Sequence, residues 1–320
     1  MAFEQKKIVC VGMMTCDVYY YGLDPETLNL ANSATTRVVT AGGGDATNVC
    51  IDFAHMGYDA LLVGLLGNDF FGDGLMKVTT NAGVDVSNII RKDDVETTTT
   101  VIMYRNDAKD ASDRHCVRNE GGNAKIARED ITDDMLMGAD HLHYGSFGPL
   151  KSLDGAGGAD LLKRAKELGL STSLDVKGLG RDFSKLEVML PYVDLFMPNL
   201  EEVADLTGLT DLQEIKAFFK ARGVGTMCIK MAEKGVFISD GERDVILSTL
   251  ADPNQIVDVM GAGDAFCAGF ISAFLQGLSL EECGTYASLA SKHCLACQGA
   301  STWVVSKDDL YQQMKAILAK

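Results

Sequence analysis

Positive charge is scarce in this chain: 29 Lys+Arg stand against 45 Asp+Glu, a formal charge of −16 over 320 residues. The basic residues are also scattered rather than gathered into a stripe, so a phosphate backbone or an anionic membrane surface would be repelled. Nucleic acid and membrane are therefore excluded as expected partners. Long apolar runs are missing as well. Ile8–Cys16 stops at Asp17 and Leu61–Leu66 stops at Gly67-Asn68-Asp69, far short of the ~18–20 apolar residues that span a bilayer. Lys6-Lys7 before Ile8-Val9-Cys10-Val11 mimics a secretory signal, but no Ala-x-Ala-type cleavage site follows, and a buried first strand is the better reading.

An even-numbered cysteine framework is absent too. Nine cysteines at irregular spacing, in a chain large enough to build its core without staples, point to reduced thiols and a cytoplasmic location. Cys294-x-x-Cys297 has no second pair to complete four metal ligands, and it lies in a helical apolar segment, so it reads as core packing. His141 and His143 share a short strand-like run and read as packed or hydrogen-bonded side chains. No G-x-x-x-x-G-K-[ST] loop and no H-R-D loop occurs, so two major ATP-binding classes lack their defining features.

What is present is 47% hydrophobic residues and 33 glycines, with no internal repeat and no linker long enough to separate domains. Short β-rich runs alternate with amphipathic segments, the pattern of a mainly parallel sheet covered by helices. Core strands are expected near residues 7–11, 60–65, 141–145, 171–174, 195–197, 226–230 and 255–257. Helices are expected over 46–56, 72–82, 158–168, 200–206, 212–222, 264–276, 280–297 and 307–318, with Asp211 and Ser306 as N-caps. Two stretches break the alternation: residues 18–21 with 35–40, and 97–105 with 114–117, joined by a solvated tip at 106–113. Their β-branched and aromatic content predicts a small antiparallel sheet projecting from the main layer.

The strongest chemical signal is Asp258-Val259-Met260-Gly261-Ala262-Gly263-Asp264-Ala265-Phe266, a glycine turn opening an apolar helix. Gly261 and Gly263 let backbone N–H groups converge on one point, where the helix N-terminus adds about half a positive charge. Asp264 puts a carboxylate beside that anion cradle, as a general base taking a proton from an attacking hydroxyl would require. Taken alone, the segment fits a capped tight turn equally well. It fails the dinucleotide fingerprint because Phe266 stands where a third glycine is needed.

Taken with four further motifs in order, the segment resembles the ribokinase-like, or PfkB, family of carbohydrate kinases over nearly the whole chain. Gly43-Gly44-Asp45-Ala46-Thr47-Asn48 is similar to the family's G-G-x-x-x-N sugar signature; Val63-Gly64 and Gly67-Asn68-Asp69 follow it. Gly122-Asn123-Ala124 resembles the segment after the lid, and Asn199-Leu200-Glu201-Glu202 resembles N-x-x-E. The resemblance implies a three-layer α/β/α sandwich, one kinase domain over 1–320 with a β-sheet lid inserted from about 17–40 and 95–119. It implies ATP and Mg2+, with K+ or another monovalent cation held by backbone carbonyls near Asp258 and the 290s loop. It assigns the base to Asp264 and the anion hole to Gly261, Ala262 and Gly263. Asp17, Gly43, Gly44, Asp45 and Asn48 would bind substrate; Asn199, Lys230 and Gly235 would lie on the nucleotide side. Asn199 and Glu202 would reach the magnesium, mostly through water.

The implied reaction is ATP-dependent phosphorylation of a primary hydroxyl of a small sugar or sugar acid. A nucleoside kinase of the same fold and a non-catalytic sugar or nucleotide sensor are the alternatives. The family also implies a homodimer paired through the lid. Lys230 and Ala232 replace the usual Thr and Gly of the nucleotide-side turn. Arg105, Arg114 and Arg118 on the lid have three readings: a substrate, a partner protomer, or plain solvent.

Overall fold

A computed structural model describes residues 3–24, 26, 32–105, 114–178 and 180–319. The strands are β1 (Lys7–Gly12), β2 (Thr15–Leu23), β3 (Arg37–Gly43), β4 (Asp59–Val63), β5 (Leu65–Gly67), β6 (Ile90–Lys92), β7 (Thr99–Arg105) and β8 (Arg114–Arg118). They continue with β9 (His141–Phe147), β10 (Ser171–Val176), β11 (Leu195–Phe196), β12 (Thr226–Lys230), β13 (Val236–Ser239) and β14 (Asp244–Leu247). The helices are α1 (Asp45–Met56), α2 (Phe70–Asn81), α3 (Gly121–Lys125), α4 (Ala156–Glu167) and α5 (Phe183–Glu187). After them come α6 (Leu200–Thr207), α7 (Leu212–Lys220), α8 (Ala262–Leu275), α9 (Leu280–Leu295) and α10 (Lys307–Leu318).

The large sheet has the order β14-β13-β12-β11-β10-β9-β1-β4 and is parallel from β4 to β12, with β13 and β14 antiparallel at its edge. Period-two alternation sends its side chains to two cores. From β1, Ile8 and Cys10 enter the core beneath α1, α8, α9 and α10, while Val9 and Val11 enter the core beneath α4, α6 and α7. The result is the three-layer α/β/α arrangement that the sequence resemblance implies. Because β1 is buried on both faces, it reads as an unbroken apolar run, as central parallel strands do.

Helix starts follow the sequence closely. The Asp211 carboxylate accepts the N–H groups of Gln213 and Glu214, and the Ser306 hydroxyl accepts that of Asp309, each cap contributing about 1 kcal/mol. Helix α8 is apolar nearly all round and buried from Asp264 to Ala273, so packing against α9 and α1, rather than an amphipathic surface, fixes where its N-terminus points.

Two expectations need correction. Residues 255–257 form no strand: Pro253–Gln255 is a 3-10 turn, and Ile256 and Val257 are exposed, the Val257 N–H reaching the Leu295 carbonyl at the end of α9. Proline removes a ladder donor there, and the apolar run has no layer to bury it. The small sheet, of order β3-β2-β7-β8, is not wholly antiparallel, because β2 and β7 are parallel. Both leave the main body in the same direction, and β3 and β8 return the chain. The tip at 106–113 lies outside the described residues.

Candidate active site

Ligands of open parallel sheets gather at the carboxyl ends of the strands, and here the ends of β1, β10 and β12 face the N-terminus of α8 across two cavities, each of about 410 Å3. Ala262 and Gly263 line the first; Gly261, Gly263 and Asp264 line the second. Lys230, Ala232 and Val259 border both. The two spaces thus meet at the glycine turn.

That turn is held from behind. One oxygen of Asp258 accepts the Met260 N–H and the other accepts the Gly299 N–H, each at 3.0 Å. Gly261 has φ 77°, and a Cβ there would lie 2.1 Å from the Ala300 carbonyl oxygen, so only glycine fits. At Gly263 the reason differs: a Cβ would meet only Lys230 Nζ, at 3.5 Å. Its hydrogen leaves the cradle open toward the cavity rather than relieving a clash. Asp264, 4% exposed in the first turn of α8, accepts a hydrogen bond from Asn48 Nδ2 at 2.7 Å.

In the second cavity, Asp17, Gly44, Asp45 and Asn48 come together with Asp264, as the sequence reading expects. Gly43 is the exception, since it serves behind the wall: a Cβ there would sit 2.0 Å from Asp17 Oδ2. Burial pushes the Asp17 carboxyl up to about 6, against the opposing pull of Thr100 and Arg118. Among the described residues, Asn48 Oδ1 and Asp45 Oδ2 are buried without a hydrogen-bond partner. Such atoms cost ~1–3 kcal/mol unless something satisfies them, and both belong to residues lining the cavity.

The remaining Asp45 oxygen closes a polar chain through the sheet. His143 Nε2 lies 3.2 Å from Asp45 Oδ1, His143 Nδ1 2.8 Å from Ser173 Oγ, and His141 Nε2 2.8 Å from the same Ser173 Oγ. His141 Nδ1 reaches Ser171 Oγ at 2.7 Å. With Asp45 ionised, one set of tautomers satisfies every link, each donor pointing toward Asp45. Burial works against that charge, but the His143 ring, Lys177 and Lys230 outweigh it and hold the Asp45 carboxyl below its ordinary range. The two histidines thus act as packed, hydrogen-bonded side chains.

Asn199 and Glu202 form a capping box at the start of α6: Asn199 Oδ1 accepts the Glu202 N–H at 2.8 Å, and Glu202 Oε2 accepts the Asn199 N–H at 3.0 Å. Both still line the second cavity. Lys230, at the end of β12, makes a 2.8 Å ion pair with Asp175 and lies 3.5 Å from Cys267 Sγ. Burial alone would lower the Lys230 ammonium; Asp175, Cys267 and Glu202 carry it well above its ordinary value. Gly235 lines the first cavity, as does Ala232, a non-glycine residue at φ 52°. The left-handed backbone explains why a glycine suits that turn, and alanine there costs about 1–2 kcal/mol.

Sequence reasoning passed over Asp175 and Lys177. Asp45, Asp175 and Asp264 each offer a carboxylate oxygen within 4.8 Å of the others, and Asp264 is the strongest influence holding the Lys177 ammonium above its ordinary value. The available signal was Leu174-Asp175-Val176-Lys177-Gly178, a charged pair at the carboxyl end of a parallel strand. The apolar wall of the first cavity, from Ala251, Ile256, Phe266 and Leu295, was not legible.

Known proteins share this chain's sequence pattern and fold. A sequence model described as the pfkB family carbohydrate kinase matches residues 5–307. Ribokinase of Arabidopsis thaliana is 28% identical over 306 residues, covering 92% of this chain and 77% of its own. The 2-dehydro-3-deoxygluconokinase of Bacillus subtilis is 24% identical over 257 residues, covering 75% of this chain and 76% of its own. The solved structure of Arabidopsis thaliana ribokinase complexed with ribose and ATP superposes with a TM-score of 0.80 at 24% identity, over 98% of this chain and 99% of that one. With the family model spanning nearly its whole length, and its glycine turn, Asp264 and sugar-signature residues gathered at one junction, this chain belongs to the pfkB family of carbohydrate kinases.

Proposed function

We propose that this carbohydrate kinase moves the γ-phosphoryl group of ATP to a primary hydroxyl of a small sugar or sugar acid, with Asp264 as the general base. One observation carries the reading: the two cavities share a wall of Lys230, Ala232, Val259 and Gly263, and Asp264, next along the chain, faces the second. ATP takes the cavity walled by Val236, Phe266 and Leu295, and the acceptor takes the one holding Asp17, Asp45 and Asn48. Asn48 Nδ2 orients the Asp264 carboxylate, which leaves its other oxygen for the acceptor hydroxyl. As oxygen attacks phosphorus, Asp264 takes the proton. The Gly261–Gly263 backbone and the α8 N-terminus stabilise the equatorial oxygens, with Lys177 and Lys230 supplying positive charge beside them.

The carboxylates of Asp175 and Glu202 line the second cavity and are hard oxygen donors that suit Mg2+; Asn199 and Glu202 would reach it through water. When bound, the ion neutralises charge on the phosphates. We assign the backbone carbonyls near Asp258 and the 290s loop to a monovalent cation such as K+.

We treat the chain as one kinase domain whose small sheet is a lid. Tyr19, Ile102 and Tyr104 of that sheet pack with Met260 beside the glycine turn, a contact that would keep water from the transferring phosphoryl group. The opposite face carries Val38 and Val117, 50% and 54% exposed, and supports a homodimer paired through this sheet. Nine free cysteines, most of them buried, support a reducing, cytoplasmic setting, and no described helix is long and apolar enough to cross a membrane.

The test is coupled ADP release from ATP and Mg2+ across ribose, fructose, 2-keto-3-deoxygluconate, hexose phosphates and nucleosides, with and without K+. A strong sugar or sugar-acid acceptor supports the reading. Preference for a nucleoside would make this a nucleoside kinase, and ATP binding with silence across the panel would favour a sensor.

A further inference from the structure

The small sheet presents its two faces very differently. On β8, Arg114, Cys116 and Arg118 line the acceptor cavity, whereas His115 and Val117 alternate to the other side. Register fixes the rows on the inner face. Asp17 of β2 pairs with Thr100 of β7, and Thr100 pairs with Arg118 of β8. Asp17, Thr100 and Arg118 therefore stand in one row across three strands, and all three line the cavity. Two inter-strand spacings separate the backbones of Asp17 and Arg118 by about 9–10 Å.

A neutral polyol already has its partners in this cavity: Asp17, the unpartnered Asp45 Oδ2 and the unpartnered Asn48 Oδ1 are all acceptors that suit hydroxyl groups. Arg118 exerts a pull on the Asp17 carboxyl from across the row, but a neutral polyol needs no full positive charge. The hydrogen-bonding contact of Arg118 is a 3.7 Å approach to Met13 Sδ, and among the described residues it makes no ion pair. A guanidinium presents a fork of N–H donors that matches a carboxylate or a phosphate bidentately. In a protein of net charge −16, Arg118 on the cavity face, without an ion pair among the described residues, marks a place for negative charge brought by the ligand.

We infer that the acceptor carries an anionic substituent, a phosphate ester or a carboxylate, held by Arg118 with Arg114 beside it, while the hydroxyl at its other end lies at Asp264. The separation suits a chain of five or six carbons reaching from the Asp17 side of the row to the β8 edge. This inference rests on the kinase reading for the identity of the cavity, yet it can be tested by binding alone.

The experiment is calorimetric titration of the full chain, its nucleotide cavity saturated with a non-hydrolysable ATP analogue so that added anions cannot bind there. Fructose is compared with fructose 1-phosphate, fructose 6-phosphate and 2-ketogluconate; ribose is compared with ribose 1-phosphate and ribonate. At least one anionic ligand is expected to bind about 10–100-fold tighter than its parent sugar, and the better arm tells phosphate from carboxylate. In Arg118→Gln that ratio should fall about tenfold or more, with Arg118→Lys intermediate because charge survives without the fork. Parent sugars binding as tightly as every anionic partner would overturn the inference, and so would a ratio unchanged in both Arg118→Gln and Arg114→Gln. Turnover of a neutral sugar without anion preference removes this inference and leaves the kinase reading; anion preference without ADP release does the reverse.

Discussion

Asp264→Asn separates the role of a base from that of a structural carboxylate. Asp264 Oδ2 accepts from Asn48 Nδ2 at 2.7 Å, and an asparagine side chain can turn its carbonyl oxygen to accept the same bond, so the contact survives. The α8 N-terminus loses a favourable first-turn charge worth about 0.3–1 kcal/mol and Lys177 loses its strongest opposite charge, but Asp45 and Asp175 lose a neighbour of like charge within 4.8 Å. These effects oppose each other, and the melting temperature should move little. What disappears is the proton acceptor. A positioned base contributes about 10²–10⁴ in rate, or roughly 2.7–5.5 kcal/mol of barrier. Coupled ADP release should therefore show kcat reduced by at least that lower bound, while calorimetry shows ATP binding within a few-fold of the parent. Turnover within tenfold of the parent, with the melting temperature unchanged, would refute the assignment of Asp264 as base.

Asp17, with its carboxyl pushed up to about 6 by burial, is protonated below that pH and a full acceptor above it. Acceptor KM should fall as pH rises through about 6, and a profile just as steep in Asp17→Asn would exclude Asp17 as its source. Asp52 is wholly buried, and burial followed by the nearby Asp264 raises its carboxyl well above 3.8 against the opposing pull of the Trp303 indole. The folded chain then keeps a proton that the unfolded chain releases above about pH 4, so stability drains away as pH climbs toward the folded value. Asp52→Asn should gain melting temperature as pH rises above about 4, with little gain near pH 4; a pH-independent difference would count against this. Lys230→Met leaves Asp175 buried without its 2.8 Å partner and should cost about 3–5 kcal/mol, which Asp175→Asn in the same chain should largely restore. Additive losses in denaturant melts would show that the two side chains are not coupled.

Much of the fold was legible because parallel strands and their covering helices write themselves in period. β1 and β9 are apolar or hydrogen-bonded runs buried on both faces, and the cap residues Asp211 and Ser306 mark helix starts directly. Pairing direction was not legible. Nothing local in Val18–Tyr21 or Thr99–Arg105 says that β2 and β7 run parallel, since that follows from where each strand leaves the body. The edge hairpin β13–β14 was open to reading, with Val236–Ser239 and Asp244–Leu247 flanking an Asp240-Gly241 turn. Residues 255–257 misled because β-rich composition describes a preference for pleated, half-buried surface, and here that surface is a cavity wall.

The site divides along the same line. Residues whose work depends on backbone shape announce themselves: Gly43 and Gly261 are glycines because Asp17 Oδ2 and the Ala300 carbonyl would otherwise collide with a Cβ. Residues whose work depends on charge at a distance do not. Lys177 and Asp175 sit at one strand end, Lys230 at another and Asp264 on a helix, so their mutual neutralisation exists only after two crossovers and an edge hairpin bring them together. Lys230 shows why a departure from a family pattern should be followed into the structure before it is discounted. A lysine in place of a hydroxyl residue would leave a buried charge costing several kcal/mol if it stood alone. Asp175 meets it at 2.8 Å, and Lys230 borders both cavities, so the substitution that clouds the nucleotide motif in sequence places a positive charge where the two spaces join.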